Sequence, residues 1–290
     1  MQLCLAIGLF ILTCLGFSAP ELNPARRQPP LPSVEPEGKA DASIRTDVGW
    51  VGPNQTFHII VPIEPVKGWH FYWKNPGVSG APTEFDVQGP DGFTIGDTMY
   101  PRPIGFHTEE GATYGYKETA AFFIPITAPK QLAEGEATFT VDAYWLACKE
   151  NCVRGTQTLT LSVRTSSEEG PQHKDMNLRR FHAALPKPIQ SLEDASVVFS
   201  ENALHVSGIT THTPITFLGE SARGVMYYLE HVELNRMQNE FRLTIPVKLN
   251  LDNAESNVIE LKGLLLMGRN KTDPSYVIKK QVTKSELNTQ

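Results

Sequence analysis

Cysteine is scarce in this chain: there are four in 290 residues, and Cys4 and Cys14 both sit in the apolar N-terminus. The remaining pair, Cys148 and Cys152, is too small a set for the disulfide framework that holds small secreted domains together. Positive charge is not in excess either. Lys and Arg number 26 against 32 Asp and Glu, a formal charge of −6 with both signs scattered, so no basic stripe is available to neutralise a phosphate backbone. This argues against nucleic acid as a partner. Beyond the N-terminus no apolar run is long enough to cross a bilayer, since Leu261 to Met267 is strand-sized and interrupted by Lys262. The mature chain is therefore expected to carry no membrane span.

What is present is a globular composition, 40% hydrophobic and 20% charged, with 22 Gly and 22 Pro that favour short strands joined by turns. The length suits roughly two domains of ordinary size. Residues 3 to 17 form an apolar run of signal-peptide length, and Gly16-Phe17-Ser18 before Ala19 supplies small residues at both cleavage positions, although no Lys or Arg precedes the run. Residues 1–18 are thus read as a signal peptide and the protein as periplasmic or otherwise exported. A lipoprotein reading around Cys14 is poorer, because Thr13 stands where a small Gly, Ala or Ser is expected. Cleavage removes Cys4 and Cys14 and leaves one pair in an oxidising compartment.

Residues 19–42 are read as a linker, because Pro20, Pro24, Pro29, Pro30, Pro32 and Pro36 break helix and ladder alike. From residue 43 short apolar segments alternate with turn residues. Strands are expected at Thr56 to Pro62, Thr83 to Val87, Phe93 to Asp97, Ala120 to Ile126, Ala137 to Ala147 and Val153 to Val163. In Trp69 to Trp73 the period of two puts Trp69, Phe71 and Trp73 on one face and His70, Tyr72 and Lys74 on the other, with Asn75-Pro76-Gly77 ending the strand. Such half-buried strands must cover their apolar face with a second sheet, so residues 43–165 are expected to form a β-sandwich.

Gln172 to Leu185 is the one good helical window, ended by Pro186 and Pro188, and residues 166–190 are read as a helical linker. Residues 191–290 then resume the strand pattern without a cysteine or a Gly-rich phosphate loop. Strands are expected at Ser196 to Ser200, Ala203 to Ile209, Ile215 to Leu218, Val225 to Leu234, Glu240 to Val247, Val258 to Met267 and Tyr276 to Val282. The fold class is therefore all-β: a sandwich, a short helix and a second β-rich domain.

The chemistry available resides in Cys148-Lys149-Glu150-Asn151-Cys152. Two β-prone segments flank these residues, so the economical geometry is a hairpin with the cysteines opposed. Opposed residues lie about 4.5 to 5.5 Å apart between Cα atoms, within the reach of a disulfide. Tyr144, Leu146 and Arg154 then share the cysteine face and Trp145 and Ala147 point away. Three roles stand open. As a staple the bond is inefficient, because closing about five residues gives roughly 2 kcal/mol against about 4.7 for a loop near 100 residues. As an exchanging pair it benefits from Lys149 and Arg154, which favour a thiolate, against Glu150, which opposes it. As a metal site it is incomplete, with no His at short spacing, although a soft ion such as Cu(I) suits two thiolates.

With these residues in view, the chain resembles the N-terminal periplasmic domain of DsbD-type thiol:disulfide interchange proteins, in the branch with a Trp-Leu-x-Cys-Lys-Glu-x-Cys hairpin. The likeness is carried in order by Gly68 to Gly77, Tyr100-Pro101-Arg102-Pro103, Tyr114-Gly115-Tyr116 and Trp145 to Gly155, over about 110 residues. The resemblance implies an immunoglobulin-like sandwich whose Cys148 and Cys152 relay electrons. The donor would be a membrane thiol reductase, and the clients periplasmic thioredoxin-like proteins of cytochrome maturation or disulfide isomerases. No organic cofactor and no metal is implied. The family covers its cysteines with a mobile cap loop, for which the segment between Phe106 and Tyr116 is the candidate, with Tyr116 and Tyr144 as candidate shields. No counterpart of the family's multi-helix membrane domain or its thioredoxin-like domain is seen, so the electron source is expected to be a separate protein. Arg154 stands where the branch usually has Pro, which adds a positive charge near Cys152. The rivals are a non-catalytic envelope binding module with a structural disulfide, and copper handling by the reduced pair.

Overall fold

The computed structural model describes residues 36–108, 111–220, 222–250 and 258–283, all within one compact unit, Glu35–Gln290. The signal peptide read at residues 1–18 lies outside them. Before the helix the strands are β1 (Ala40–Ala42), β2 (Arg45–Thr46), β3 (Thr56–Pro65), β4 (His70–Gly77), β5 (Glu84–Gln88) and β6 (Thr94–Ile95). They continue with β7 (Ile104–Thr108), β8 (Gly111–Tyr116), β9 (Ala120–Thr127), β10 (Gly135–Cys148) and β11 (Cys152–Thr165). One sheet runs β1-β3-β9-β6 with β2 on β3; the other runs β11-β10-β4-β8-β7 with β5 on β10.

The two sheets meet because their strands alternate. β10 turns Ala137, Phe139, Val141, Ala143, Trp145 and Ala147 inward, and β3 answers with Phe57, Ile59, Val61 and Ile63. Phe57 meets Phe139 edge-on across the gap at 5.9 Å, one of the favoured aromatic geometries. Burial of a side chain of this size is worth roughly 1.5–3 kcal/mol, so a layer of such pairs dominates the stability of the sandwich. This is the β-sandwich expected from the alternation, in the immunoglobulin-like form that the family resemblance implies.

Several details of the first two sheets depart from the sequence reading. Ala40–Ala42, placed with the linker, forms β1 on β3, because two buried alanines fit a pairing that no local pattern signals. Gly111–Tyr116 also forms a strand, since Gly115 lets the backbone of β4 approach: a Cβ there would lie 2.1 Å from the Phe71 carbonyl oxygen. Strand β4 continues through Asn75-Pro76-Gly77, re-pairing with β8 after a bulge. Tyr72, expected on the outer face with His70, is buried there by the Ser79–Thr83 segment, with Gly80 against its ring.

Helix α1 (Met176–Ala183) is shorter than the window read for it. Gln172 is taken up in a bridge to Val48, and Asp175 caps the first turn by accepting the Leu178 N–H at 2.8 Å. Leu178 packs with Ile60, Ala121 and Phe123 on the outer face of the first sheet.

After the helix come β12 (Lys187–Pro188), β13 (Ser196–Ser200), β14 (Ala203–Ile209), β15 (Ile215–Gly219), β16 (Val225–Tyr227) and β17 (Glu233–Met237). The last strands are β18 (Glu240–Leu249), β19 (Val258–Met267) and β20 (Ser275–Thr283). Sheets β12-β20-β19-β15 and β13-β14-β18-β16, with β17 on β18, close on one core that includes Leu204, Leu243, Ile245, Leu261, Leu265 and Ile278. The strand expected at Val225 to Leu234 is two strands, parted by a 3-10 turn at Leu229–His231. No strand pairing joins these sheets to the first two among the described residues, yet Leu218, Leu264 and Leu266 pack into the first core.

Candidate functional site

The hairpin of β10 and β11 pairs in unbroken register from Gly135↔Thr165 to Cys148↔Cys152. The turn Lys149-Glu150-Asn151 closes it, with the Lys149 N–H donating to the Asn151 carbonyl at 3.1 Å. The cysteines are joined by a disulfide, their Cα atoms 4.1 Å apart. The register expected from sequence holds, and so do the faces: Trp145 and Ala147 are in the core, while Tyr144 and Leu146 point outward.

The two sulfur-bearing residues differ sharply in access. Cys148 is 4% exposed, whereas Cys152, across the strand pair, is exposed. The cause lies in the neighbour on the other side of β10. That strand is paired by β5 from Thr140 to Tyr144 and by β4 at Ala147 and Cys148. Cys148 is therefore an inner residue of the sheet and Cys152 an edge residue.

The partner of Cys148 on β4 is His70. Directly opposed residues of an antiparallel pair share a face with Cβ atoms about 4.5–5.5 Å apart, so the imidazole stands beside the cysteine. Its ring lies 5.3 Å from that of Tyr72 and 4.7 Å from that of Phe106, and the Lys117 ammonium lies 4.7 Å above the Phe106 ring. Burial, and then the positive charge of Lys117, hold the His70 pKa below its ordinary value of 6.5. Phe106 belongs to β7, so the hairpin of β7 and β8 lays an aromatic ring against His70.

Sequence reading missed His70 as a neighbour of the cysteines, because spacing along the chain carries no sign of a contact made across a sheet. The usable signal was the alternation in Trp69 to Trp73, which already put His70 on the outward face. The other candidates scatter. Lys149 is exposed with its side chain over Gly68, and Arg154 is exposed opposite Leu146 on the cysteine face. Tyr144 is 44% exposed, four residues from Cys148, in a depression with Glu84, Phe85, Asp86, Thr98 and Tyr100. Tyr116 is not over the sulfurs. It is buried in the core against Phe71 and Phe122 and donates its hydroxyl to the Pro101 carbonyl at 2.9 Å.

Trp145 and Gly155 of the motif serve the fold. The indole N–H donates to the Gly38 carbonyl at 2.9 Å, and the ring lies so close over Gly155 that a Cβ there would come within 2.2 Å of it. Among the described residues no group of three or more His, Cys, Asp or Glu side chains is arranged to hold a metal ion.

The class defined by these features is an immunoglobulin-like β-sandwich domain carrying a cysteine pair at a hairpin tip. Residues 39–163 match the family model described as "Thiol:disulfide interchange protein DsbD, N-terminal", and this segment is a DsbD-type N-terminal domain. Among solved structures the chain is similar to the N-terminal periplasmic domain of ScsB from Proteus mirabilis, with TM-score 0.56 and 16% identity over 84% of this chain and 94% of that one. That coverage exceeds residues 39–163, so the likeness in fold extends into the strands after the helix. The E. coli chaperone DraB also aligns, over 83% of this chain and 98% of that one, but at 9% identity and TM-score 0.21 it carries no weight for the fold. No curated protein sequence matches the chain.

Proposed function

We propose that this protein is exported and relays reducing equivalents by thiol–disulfide exchange through Cys148 and Cys152. It would take electrons from a membrane thiol reductase and pass them to periplasmic thioredoxin-like or disulfide isomerase proteins. Residues 43–165 form the exchanging domain in this reading, and residues 191–290 a second β-rich domain whose own ligand the proposal leaves open. The membership of residues 39–163 in a thiol:disulfide interchange family supports the chemistry, and the similarity to the periplasmic domain of ScsB supports the compartment. No helix among the described residues is long and apolar enough to cross a membrane.

The single observation that carries the reading is the asymmetry of the pair, one cysteine exposed at the tip and the other buried beside it. A donor thiolate reaches Cys152, forms a mixed disulfide with its sulfur and expels the Cys148 thiolate. The donor's second thiol then attacks that mixed disulfide, leaving the donor oxidised and both cysteines reduced, two electrons having moved. Toward a client the sequence runs in reverse. Cys152 attacks the client disulfide, Cys148 resolves the intermediate, and the client leaves as a dithiol. A staple reading is weaker here, because the cysteines are separated by only 4 positions, and closing so short a loop restrains the unfolded chain by only about 2 kcal/mol.

Redox titration against defined thiol buffers tests the proposal. An exchanging pair should titrate near −270 mV or higher, whereas a structural bond lies below about −300 mV. In parallel, a Cys148→Ser variant should accumulate mixed disulfides with thioredoxin-like proteins through Cys152. A potential below that limit, with no mixed disulfide from either single cysteine variant, would defeat the relay.

A further inference from the structure

The outward face of the second sheet carries a row of side chains that runs across the strands rather than along them. Cys152 on β11 opposes Cys148 on β10, and Cys148 opposes His70 on β4. On the far side of β4, Phe71 opposes Tyr116 and Tyr72 opposes Gly115, so one further step of the same register brings Lys117 level with His70. The row therefore reads thiol, thiol, imidazole, ammonium, with Phe106 stacked on the imidazole at 4.7 Å.

Each position has a chemical consequence. Cys148, at 4% exposure, is a poor place to ionise, because burial in apolar surroundings raises a thiol's pKa. In the second half of an exchange with a client this same residue must become a thiolate to attack the mixed disulfide on Cys152, and water has little access to take its proton. A group that accepts the proton must stand beside it and be neutral at working pH. Groups around the ring are Cys148 and, beyond it, Cys152; Tyr72 on its own strand; Lys117 after β8; and Lys149 in the hairpin turn, lying over Gly68. The charge that acts on His70 is the Lys117 ammonium. A cation in that place disfavours a second one, so the imidazole stays neutral and free to accept.

We propose that His70 is the proton-transfer group for Cys148, taking the thiol proton as Cys148 attacks the mixed disulfide and returning it when Cys148 is the leaving sulfur. This rests on the exchange reading of the cysteine pair. The step balances: the Cys148 S–H proton passes to the imidazole, the Cys148 sulfur bonds to that of Cys152, and the client sulfur departs with the electron pair of the broken bond. The imidazolium, beside Lys117, then releases its proton to the departing thiolate or to solvent. In the other direction the imidazolium protonates the expelled Cys148 thiolate, so the buried sulfur never carries its charge for long.

The reaction of the reduced full-length protein with a chromogenic aromatic disulfide, 5,5′-dithiobis(2-nitrobenzoate), separates the two halves. Attack by Cys152 releases one thionitrobenzoate, and resolution by Cys148 releases the second. In wild type the second phase should already be level at pH 6.5, because the His70 pKa is held below that ordinary imidazole value. In His70→Gln it should slow on the order of 100-fold at pH 7, within the range for general base catalysis, and climb with pH toward the ionisation of the Cys148 thiol itself. The first phase should be unchanged, and free imidazole should restore the second phase in His70→Ala. A His70→Gln variant whose second phase keeps the wild-type rate and pH profile overturns the role of His70 and leaves the relay standing. Failure of the wild-type pair to release any second thionitrobenzoate overturns both.

Discussion

At the scale of single residues, the motif around the cysteines divides into the disulfide at the hairpin tip and side chains that hold the hairpin in place. Trp145 and Gly155 face each other across the strand pair, and the indole is wedged between the backbones of Gly155 and Gly38. Replacing Gly155 by Ala puts a methyl group where ring atoms already lie, 2.2 Å away, and overpacking of this kind costs about 1–3 kcal/mol. Gly155→Ala is expected to lower the denaturant midpoint accordingly, with little change in the redox potential, because the ring lies on the core face and the sulfurs on the other. Urea unfolding followed by Trp fluorescence, paired with a redox titration, checks both halves of the statement. The same residues mark what was legible beforehand. The opposition of Cys148 and Cys152, and the side of the strand each neighbour takes, follow from a period of two counted out from the turn. His70 and Tyr116 did not yield to that logic, because one gains its place beside Cys148 and the other its burial from pairings between strands distant in the chain.

Elements were readable where their own alternation is strong, as in β10, β14 and β19, and unreadable where a partner makes them, as in β1 and β8. A further case is the join of β2, β3 and helix α1, held by one carboxylate. Asp47 is 4% exposed, accepts the backbone N–H of His58 at 2.8 Å and pairs with the His58 ring nitrogen Nδ1 at 2.7 Å. Its own carbonyl accepts the His173 N–H at 2.7 Å, which ties down the chain entering α1. Burial works to raise the Asp47 pKa, and the hydrogen bonds from His58 outweigh it and leave the group below its ordinary 3.8. A carboxyl that titrates lower in the folded chain than in the unfolded one stabilises the fold above the unfolded pKa. That contribution is lost as pH falls through the folded value. Asp47→Ala is therefore expected to cost about 1–3 kcal/mol at pH 7 by leaving the His58 N–H without its acceptor, and the cost should shrink steadily below about pH 4. Thermal melts of both proteins between pH 7 and pH 2.5 measure it, and a difference that stays constant over that range would refute the assignment.

For the whole molecule, the question is how the first sandwich is joined to the strands after the helix, since no ladder connects them among the described residues. Their seam is made by side chains. Lys74 pairs with Glu220 at 2.5 Å, Asn75 donates to the Gly219 carbonyl, and Lys271 pairs with Glu118. The Lys271–Glu118 pair is exposed on both sides and worth little. Arg102 is different: it is 6% exposed, and its fork donates from Nη2 to the Gly268 carbonyl at 2.7 Å and from Nε to the Asn270 carbonyl at 3.0 Å. Both acceptors lie in the turn joining β19 and β20, while the Arg102 N–H itself donates to the carbonyl of Ala184 just after α1. One residue of the Tyr-Pro-Arg-Pro stretch thus ties the first sandwich, the helix and the second core. Each hydrogen bond to a charged group is worth about 1.5–3 kcal/mol, more than that exposed ion pair. Arg102→Leu removes both side-chain bonds at similar size and should loosen the seam while leaving each core intact. Calorimetry is expected to show one cooperative transition in wild type and two in the variant, with the strands after the helix melting first. The redox potential of Cys148 and Cys152 should not move, because the row from Cys152 to Lys117 lies within the first sandwich. A variant that still melts in one transition at the wild-type temperature would mean that Leu218, Leu264 and Leu266, which pack into the first core, carry the coupling instead.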